Sequence, residues 1–347
     1  MKSSAASCAV AVGGLALVAF MIYRSAKEQK KVKKKCITVR AAPFDEEVKV
    51  HVLARLLDGP NDFLKWAWDM FAKGEGWTLF RADLEDGNPV GIFLAKDQGR
   101  DEAFLNGLRT DPTARRHGVG TAIIRGIDKA LAAKGFKFIR MATTSANDPM
   151  KALCARKLGL TFVPYRMCQC NAREAKAMAT AIKLPPEVAD DESSIGKLHA
   201  FIQASDYYAC SQGTHMDGPG QFRSLDRHTL VDAVRGGQAY LLGSCDAIGA
   251  LAFVLQPSPF GPNAMVRFIA GPRVATLMDE LRYLIPADHP KGPQAAEIFG
   301  YLPVGCAAYE LSAAKVPLGA AKEAWYCPRE TLELVMEWKA GTLPMED

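Results

Sequence analysis

Residues 106–134 read NGLRTDPTARRHGVGTAIIRGIDKALAAK, and this stretch decides the fold that the sequence predicts. A strand over residues 104–110 ends at the turn Asp111-Pro112. A basic loop with two glycines follows over residues 115–120. A helix then begins, and Gly135 lies where a glycine commonly ends a helix. Its apolar residues recur at the spacing of one helical face: Val119, Ile123, Ile127, Ala130 and Leu131.

A strand, a glycine-bearing turn and a helix start together predict an anion site. The first backbone amides of a helix have no internal partner, and the helix dipole makes that end positive. Gly118 and Gly120 lack a Cβ atom, so a phosphate can approach those amides closely, and Arg115 and Arg116 add positive charge. The alternative is an ordinary strand–helix connection with basic residues in solvent, because the loop matches neither GxxxxGK[ST] nor GxGxxG.

The loop and its flanks resemble a known family. Arg-x-x-Gly-x-Gly, after a strand that ends in Leu-Arg-Thr-Asp-Pro, is similar to the pyrophosphate-binding motif of the GNAT superfamily of acyl-CoA-dependent N-acyltransferases. The resemblance implies acetyl-CoA as co-substrate, with its pyrophosphate on the loop and its pantetheine arm along the preceding strand. The cofactor-binding residues that it implies are Leu108, Arg109, Thr110, Arg115, Arg116, His117, Gly118, Val119, Gly120, Thr121 and Asn147.

The order of predicted elements over residues 36–170 extends this resemblance. One strand, two helices, three strands, a helix, a strand, a helix and a strand follow one another, which is the order of the GNAT fold. We therefore expect an α/β (α+β) catalytic domain there. The predicted elements are strand 37–40, helices 45–57 and 61–72, strands 77–82, 90–94 and 104–110, the helix after the loop, strand 136–142, helix 149–158 and strand 160–168.

Direct acyl transfer needs a base for the ammonium, a donor for the oxyanion and an acid for the departing thiolate. The resemblance implies a carboxylate base on the strand before the loop, and Glu102 is the candidate, with a solvent-facing turn residue as the alternative. The amide of Leu108 would face the thioester. The family's usual tyrosine acid falls here on Cys154 or Ala155, so Cys154 and Tyr165 are the candidates. Water is the alternative acid, and a small buried cysteine is the commoner case.

A second set of elements begins after an alanine-rich, charged linker over residues 171–193. We expect a degenerate second GNAT-like domain over residues 194–347 that binds no coenzyme. This double layout is similar to the histidine N-acetyltransferase-like branch, which implies a small amine acceptor such as the α-amine of histidine. Candidate cations for an acceptor carboxylate are Arg109, Arg140 and Arg223. The predicted elements are helices 195–204, 224–235 and 271–284 and strands 239–243, 249–255 and 265–270.

The amino-terminal residues predict a membrane anchor. Residues 3–23 carry no charge, and about 20 residues at ~1.5 Å each just span a ~30 Å hydrocarbon core. Seven basic residues and one acidic residue follow over residues 24–35, and positive charge favours the cytosolic side. We expect a transmembrane anchor over residues 1–24, a basic juxtamembrane segment over residues 25–35 and an enzyme facing the cytosol. A cleaved signal or organellar targeting peptide is the alternative.

Charge and cysteine usage exclude two other classes. The net charge is +5, and the basic segment accounts for all of it, so the rest of the chain lacks the spread basic face of a nucleic-acid-binding protein. The nine cysteines are odd in number and scattered, which does not predict a disulfide framework and fits a reducing compartment. Cys168 and Cys170 are two ligands at most, so no metal site is predicted.

Three functions remain open from the sequence. The first is a membrane-anchored enzyme that moves an acetyl group from acetyl-CoA to a small amine. The second is acetylation of protein amino termini or lysines near the membrane. The third is a binding or assembly subunit that has lost catalysis, which the missing tyrosine acid favours and the intact loop at residues 115–120 opposes.

Overall fold

The computed structural model describes residues 37–57, 59–60, 62–171, 180–218, 221–255, 264–284, 297–313 and 332–344. The first half contains each of the elements that the sequence predicts, with bounds shifted by a few residues. These are β1 (Ile37–Ala42), α1 (Glu46–His51, continued by a π-helical turn over Val52–Leu56), α2 (Leu64–Lys73), β2 (Trp77–Leu84), β3 (Pro89–Asp97), β4 (Glu102–Thr110), α3 (Val119–Ala133), β5 (Phe138–Thr144), α4 (Asp148–Ala152, continued by a π-helical turn over Leu153–Lys157) and β6 (Val163–Asn171).

The second half contains the predicted helices and strands together with elements that the sequence does not predict. The additions are β7, a short helix, a β-hairpin and the strands and helix nearest the end of the chain. In order, the elements are β7 (Ile182–Lys183), α5 (Glu192–Gln203), α6 (Asp206–Ser211), β8 (Thr214–Gly218), β9 (Gln221–Ser224), α7 (Arg227–Arg235), β10 (Ala239–Ser244), β11 (Ala247–Leu255), β12 (Ala264–Ala270), α8 (Val274–Leu284), β13 (Glu297–Pro303), α9 (Ala307–Ala313) and β14 (Glu333–Lys339).

Local chemistry explains several helix starts. The side chain of Asp45 accepts a hydrogen bond from the amide of Val48 at the start of α1, and that of Asp226 accepts one from the amide of Thr229 at the start of α7. Such a cap satisfies an amide that would otherwise lack a partner and typically stabilises a helix by about 1 kcal/mol. These boundaries are therefore encoded by residues next to them in the chain.

Twelve strands form one sheet, and its order crosses the two halves: β1-β2-β3-β4-β5-β14-β6-β13-β12-β11-β10-β7. β14, near the end of the chain, pairs antiparallel with β5 of the first half along its whole length. β6, from the first half, pairs antiparallel with β13 of the second half. The two halves thus exchange their last strands. The domain ranges 36–170 and 194–347 stay a prediction, and the pairing of strands extends across the boundary between them.

The two faces of the sheet are covered by different elements. On one face, α3 packs against β4, β5 and β14, and the buried residues of this cluster include Ile123, Ile127, Met336 and Trp338. On the other face, α1 and α2 cover β2 and β3. The hairpin β8–β9 covers the middle strands of that second face through Met216 and Phe222, which pack against Phe104 and Val335.

The predicted anchor cannot be compared with these elements. Residues 1–24 and the basic segment 25–35 lie outside the residues that the structure describes. Among the residues that it does describe, no helix combines the length and the apolar character needed to cross a membrane. The anchor therefore stays a prediction.

Candidate active site

β4 and β5 are paired at their beginnings and separate toward their ends. Residues Glu102–Leu105 pair in parallel with residues 138–141, and the pairing stops there. β4 continues to Thr110 and β5 to Thr144 without pairing to each other. Because each strand remains bonded to its outer neighbour, a gap opens between them at the ends of the strands.

A β-bulge in β4 contributes to this gap. The register between β3 and β4 shifts between Ile92 and Leu94, so that Gly107 and Leu108 lie opposite Phe93. Gly107 has a φ of +73°, a left-handed conformation that glycine adopts without a steric cost. An added Cβ there would also lie within 3.2 Å of the Leu64 side chain. The bulge re-aims the backbone at Leu108, the amide that the sequence predicts to face the thioester.

The turn between β4 and α3 is held by a buried carboxylate. Asp111 is 2% exposed, accepts hydrogen bonds from the Thr113 amide at 2.8 Å and hydroxyl at 2.6 Å, and forms a 2.8 Å ion pair with Arg55. Burial by itself raises the pKa of Asp111, but the Thr113 hydrogen bonds and the Arg55 charge outweigh it, so its pKa lies below the ordinary value. The ionised carboxylate ties the start of the loop to the turn that follows α1.

The loop presents its charges and amides to solvent. Residues 115–118 are exposed, while Val119 and Thr121 are buried at the start of α3. Gly118 has a φ of +84°, and an added Cβ there would meet no atom within 4 Å. Arg116 has a φ of +64°, which costs a non-glycine residue roughly 1 kcal/mol or more and is typical of functional loops. The positive end of α3 is therefore exposed to solvent beside Gly118, and anion binding there stays a prediction.

At Gly120, the absence of a side chain makes room for neighbouring protein atoms. An added Cβ at Gly120 would lie 3.2 Å from the Leu153 side chain and 4.0 Å from that of Leu108. The missing side chain therefore makes room for Leu153, in the π-helical turn that continues α4, and for Leu108 of β4. Gly120 lies beside the gap, and Gly118 is the glycine on the open side of the loop.

Arg109 and Asn147, two predicted coenzyme contacts, already have protein partners. The guanidinium of Arg109 forms two hydrogen bonds with the Asp62 carboxylate, at 2.6 and 2.8 Å, and lies 5.2 Å from the centre of the Phe63 ring. Arg109 therefore joins β4 to the start of α2 through its side chain. The side-chain oxygen of Asn147 accepts a hydrogen bond from the Met150 amide at the start of α4, and the residue is exposed. The side-chain nitrogen of Asn147 is a donor, which suits a ligand's carbonyl oxygen.

Glu102, the predicted base, lies in a buried ion pair. It is 5% exposed and forms a 2.8 Å ion pair with Arg140, and it accepts a hydrogen bond from the Ser224 amide of the hairpin. It lies at the paired beginning of β4, below the gap. Arg140 also contacts Glu337 of β14 and the Ser224 hydroxyl. The assignment of Glu102 as the base stays a prediction, and its carboxylate is enclosed by Arg140 of the first half and the Ser224 amide of the second.

Cys154 and Tyr165, the two predicted acids, are both fully buried. Cys154 is fully buried in the apolar cluster under α3, and burial raises its pKa to about 12. Tyr165 is fully buried, and its hydroxyl lies 2.7 Å from Thr214 Oγ1 and 3.1 Å from the Thr214 carbonyl oxygen. Burial, opposed in part by these hydrogen bonds, raises the pKa of Tyr165. Both side chains fill the core, and their roles as acids stay predictions.

The other predicted groups also have structural neighbours. Arg223 forms a 3.1 Å hydrogen bond with Asp217 in the hairpin, so two of the three candidate cations for an acceptor, Arg140 and Arg223, are engaged beneath or within β8–β9.

Sequence reasoning missed the contribution of β14 to this site. Glu333 of β14 lies opposite Thr144 of β5, at the end of β5 where the gap is open. The signal was present, since residues 333–339 alternate between polar and apolar side chains as a half-buried strand does. Its position beside β5 follows from pairing between residues that are far apart in the chain.

Comparison with known proteins agrees with this geometry. Residues 48–160 match the model of the Acetyltransferase (GNAT) family. Acetyl transferase GW6a from Oryza sativa subsp. japonica is 34% identical over 94 residues, which cover 25% of this chain and 22% of the rice protein. The match thus spans under a quarter of that relative's length.

Solved structures resemble a larger part of the chain. A GCN5-related N-acetyltransferase from Sphaerobacter thermophilus is similar over 90% of this chain and 97% of that chain, with a TM-score of 0.50 and 11% identity, which concerns the fold alone. A GCN5-related N-acetyltransferase from Kribbella flavida matches 88% of this chain and 72% of that chain, with a TM-score of 0.43 and 12% identity. Residues 48–160 are therefore similar to the acetyltransferase domain of the GNAT family.

Proposed function

We propose that the protein is an acetyl-CoA-dependent N-acetyltransferase whose acceptor is a small amine. The observation that carries the proposal is the gap between β4 and β5, which opens beside the exposed loop 115–118 at the positive end of α3. In a GNAT-family domain, such an opening would hold the anionic pyrophosphate outside the sheet. The pantetheine arm of the coenzyme would pass between the two strands.

The residues present fit the phosphates of acetyl-CoA. The free amides after Gly118 and the exposed side chains of Arg115 and Arg116 would hold the pyrophosphate. The unpaired edge of β4 after Leu105 would bond the pantetheine amides as an added strand does, and the side-chain nitrogen of Asn147 is placed for the same arm. Gly118 leaves open space where another residue would project a side chain.

The chemistry required of the chain is limited. The acceptor ammonium loses one proton to a base, and its nitrogen then forms a bond to the thioester carbonyl carbon. The Leu108 amide would stabilise the oxyanion, and the carbon–sulfur bond breaks when the carbonyl re-forms. The second proton leaves the nitrogen, and water protonates the thiolate. The products are an N-acetylated amine and coenzyme A.

The second half would shape the acceptor site and would not bind the coenzyme. We propose that it is a degenerate acetyltransferase-like unit, and the likeness in fold to the Sphaerobacter structure over most of the chain supports this. Its hairpin covers the lower part of the β4–β5 face, which favours a confined site and a small acceptor such as an amino-acid α-amine, histidine included. Acetylation of a protein amino terminus or a lysine is the second candidate, and the unpaired ends of β4 and β5 are compatible with it.

Calorimetric titration of the full-length protein with acetyl-CoA tests the proposal. Binding is expected in the wild type and in Gly118→Asn, because asparagine tolerates a positive φ. Binding is expected to fall at least tenfold in Gly118→Val, since a β-branched residue is strained at the φ of +84°. A wild type that binds no acetyl-CoA would identify the third candidate, a subunit that uses the fold for assembly.

The acceptor is identified by release of free thiol from acetyl-CoA with a panel of free amino acids and short peptides. Faster release with free amino acids supports the small-amine proposal, and faster release with peptides supports the second candidate. Saturation by one amino acid identifies the side chain that the site prefers.

The location of the enzyme is a separate proposal. We propose that residues 1–24 anchor the protein in a membrane with the catalytic domain in the cytosol, supported by the uncharged segment and the basic residues after it. Protease treatment of sealed membranes tests it. Digestion of the catalytic domain on the cytosolic surface is expected, and recovery of the protein in the soluble fraction would contradict the anchor.

A further inference from the structure

β14 brings a carboxylate from the end of the chain to the gap between β4 and β5. Glu333 begins β14 and lies opposite Thr144, the last residue of β5. On its other side it lies opposite Tyr165 of β6. Directly opposed residues in an antiparallel pair have Cα atoms about 4.5–5.5 Å apart, so Glu333 is an immediate neighbour of the end of β5.

The alternation of β14 assigns Glu333 to the acceptor side of the sheet. Met336 and Trp338 belong to the cluster under α3, whereas Val335 packs against Phe104 and Phe222 on the opposite face. Glu333 is two positions from Val335 and therefore shares its face. The loop and α3 lie on the other side, so a thioester that passes through the gap from the loop meets an amine on the Glu333 side.

The register also sets the level of Glu333 along the gap. Residues on β4 pair with residues 36 positions later on β5, from Glu102 with Phe138 to Leu105 with Met141. Continuing this register past the end of the pairing brings Leu108 level with Thr144, within the one-residue shift of the bulge. Glu333 lies opposite Thr144 and so stands level with the amide that would hold the oxyanion.

Two other carboxylates of the sheet, Glu337 of β14 and Glu102 of β4, lie at a different level on this face. Glu337 is four residues further along β14, about 13 Å away at the rise of a strand. Glu102 lies at the beginning of β4, in the same layer as Glu337 and Arg140. Both belong to the ion-paired layer beneath the hairpin. Glu333 is half-buried, which allows contact with an acceptor at the rim of the gap.

We propose that Glu333 is the general base of the transfer. This inference rests on the proposed function. The Glu333 carboxylate takes one proton from the acceptor ammonium as the amine enters the gap, and returns it to water after product release. The lone pair freed on nitrogen forms the new bond to the carbonyl carbon. The strand exchange then has a catalytic consequence, because the second half supplies the base to the first half's coenzyme site.

The experiment compares Glu333→Gln with the wild type in the full-length protein. Acetyl-CoA affinity is measured by calorimetry, and kcat/KM is measured by thiol release with the fastest amine of the panel. We expect Glu333→Gln to lower kcat/KM for the amine by about 10²–10⁴-fold and to leave acetyl-CoA affinity within about twofold. Glu337→Gln is the matched control, on the same strand and face, and is expected to keep the wild-type rate.

The pH profile separates a base from a structural residue. In the wild type, log kcat/KM is expected to level off once the base is ionised. In Glu333→Gln it should instead rise by about one unit per pH unit up to the pKa of the acceptor amine, because only amine already deprotonated reacts. Glu333→Asp keeps a carboxylate, so its kcat/KM should be at least about tenfold higher than that of Glu333→Gln. This comparison also holds if Glu333→Gln is less stable than the wild type.

The outcomes are distinguishable. A wild type that binds no acetyl-CoA, or acetylates no amine of the panel, overturns the proposed function and this inference with it. A wild type that binds and acetylates, with a Glu333→Gln variant within about threefold of its rate and an unchanged pH profile, overturns the role of Glu333 alone.

Discussion

The indole nitrogen of Trp338 donates a 2.8 Å hydrogen bond to the Asp128 carboxylate. Trp338 lies on β14 and Asp128 on α3, more than 200 positions apart in the chain, and the same carboxylate oxygen accepts a 2.8 Å bond from the Gly341 amide. Asp128 is buried among apolar residues of α3 and β14. The carboxylate therefore joins β14 to α3, the helix that begins after the loop 115–118.

Asp128→Ala should destabilise the protein. It leaves the Trp338 N–H group buried without this acceptor, whereas the Gly341 amide belongs to an exposed residue and can bond water, so the free energy of unfolding should fall by roughly 1–3 kcal/mol. Urea denaturation measures the change. Lys129→Ala, at the exposed neighbouring position, should stay within about 0.5 kcal/mol of the wild type. Equal stabilities for the two variants would contradict the role of Asp128.

A fragment of residues 37–171 should fail to fold cooperatively. Without the second half, β5 loses its antiparallel partner β14, and β6 loses both β14 and β13. The cluster around Phe104 also loses Met216 and Phe222 of the hairpin. Unpaired strand edges and exposed apolar surface make such a chain prone to aggregation. Circular dichroism on heating should lack the sharp transition of the full-length protein, and a sharp transition in the fragment would contradict the exchange.

Glu102→Gln should affect stability more than binding. Removing one partner of a buried ion pair leaves an uncompensated charge and typically costs about 3–5 kcal/mol, although Glu337 remains beside Arg140 and limits the loss here to the lower end. Acetyl-CoA affinity should stay within about twofold, because Glu102 lies below the gap. Thermal melting and calorimetry measure the two effects. A lower rate of acetylation in Glu102→Gln with an unchanged melting temperature would support Glu102 as the base.

His215 should make stability depend on pH. The side chain is fully buried in β8, and burial, reinforced by the Arg267 charge, lowers its pKa to about 3. Its Nδ1 lies 3.0 Å from the Met216 carbonyl oxygen, which can only accept, so the folded state holds the neutral ring with the proton on Nδ1.

In the unfolded chain a histidine titrates near 6.5. Below about pH 6.5 the unfolded state therefore binds a proton that the folded state excludes, and the free energy of unfolding falls by about 1.4 kcal/mol per pH unit until about pH 3. The stability advantage of the wild type over His215→Gln should shrink by about 2 kcal/mol between pH 7 and pH 5, as measured in urea. A constant advantage for His215 over this pH range would contradict its neutral state in the folded protein.

Local elements were predictable because their causes are local. The strand before the loop, the helix after it and the caps at Asp45 and Asp226 depend on residues within a few positions of each other. The open position of Gly118 also followed from its neighbours, since a helix start has free amides whatever surrounds it. The role of Gly120 did not, because the side chain that approaches it, Leu153, belongs to another helical segment.

By itself, the sequence determined the order of strands and helices in the first half, the basic loop with two glycines before α3 and the match to an acetyltransferase family. Only the tertiary structure decided which carboxylate stands at the gap, since Glu102 is enclosed by Arg140 and Ser224 while Glu333 arrives from the far end of the chain. The reason is physical: helices and turns are stabilised by neighbours in sequence, whereas strand pairing and burial depend on residues that meet only when the chain has folded.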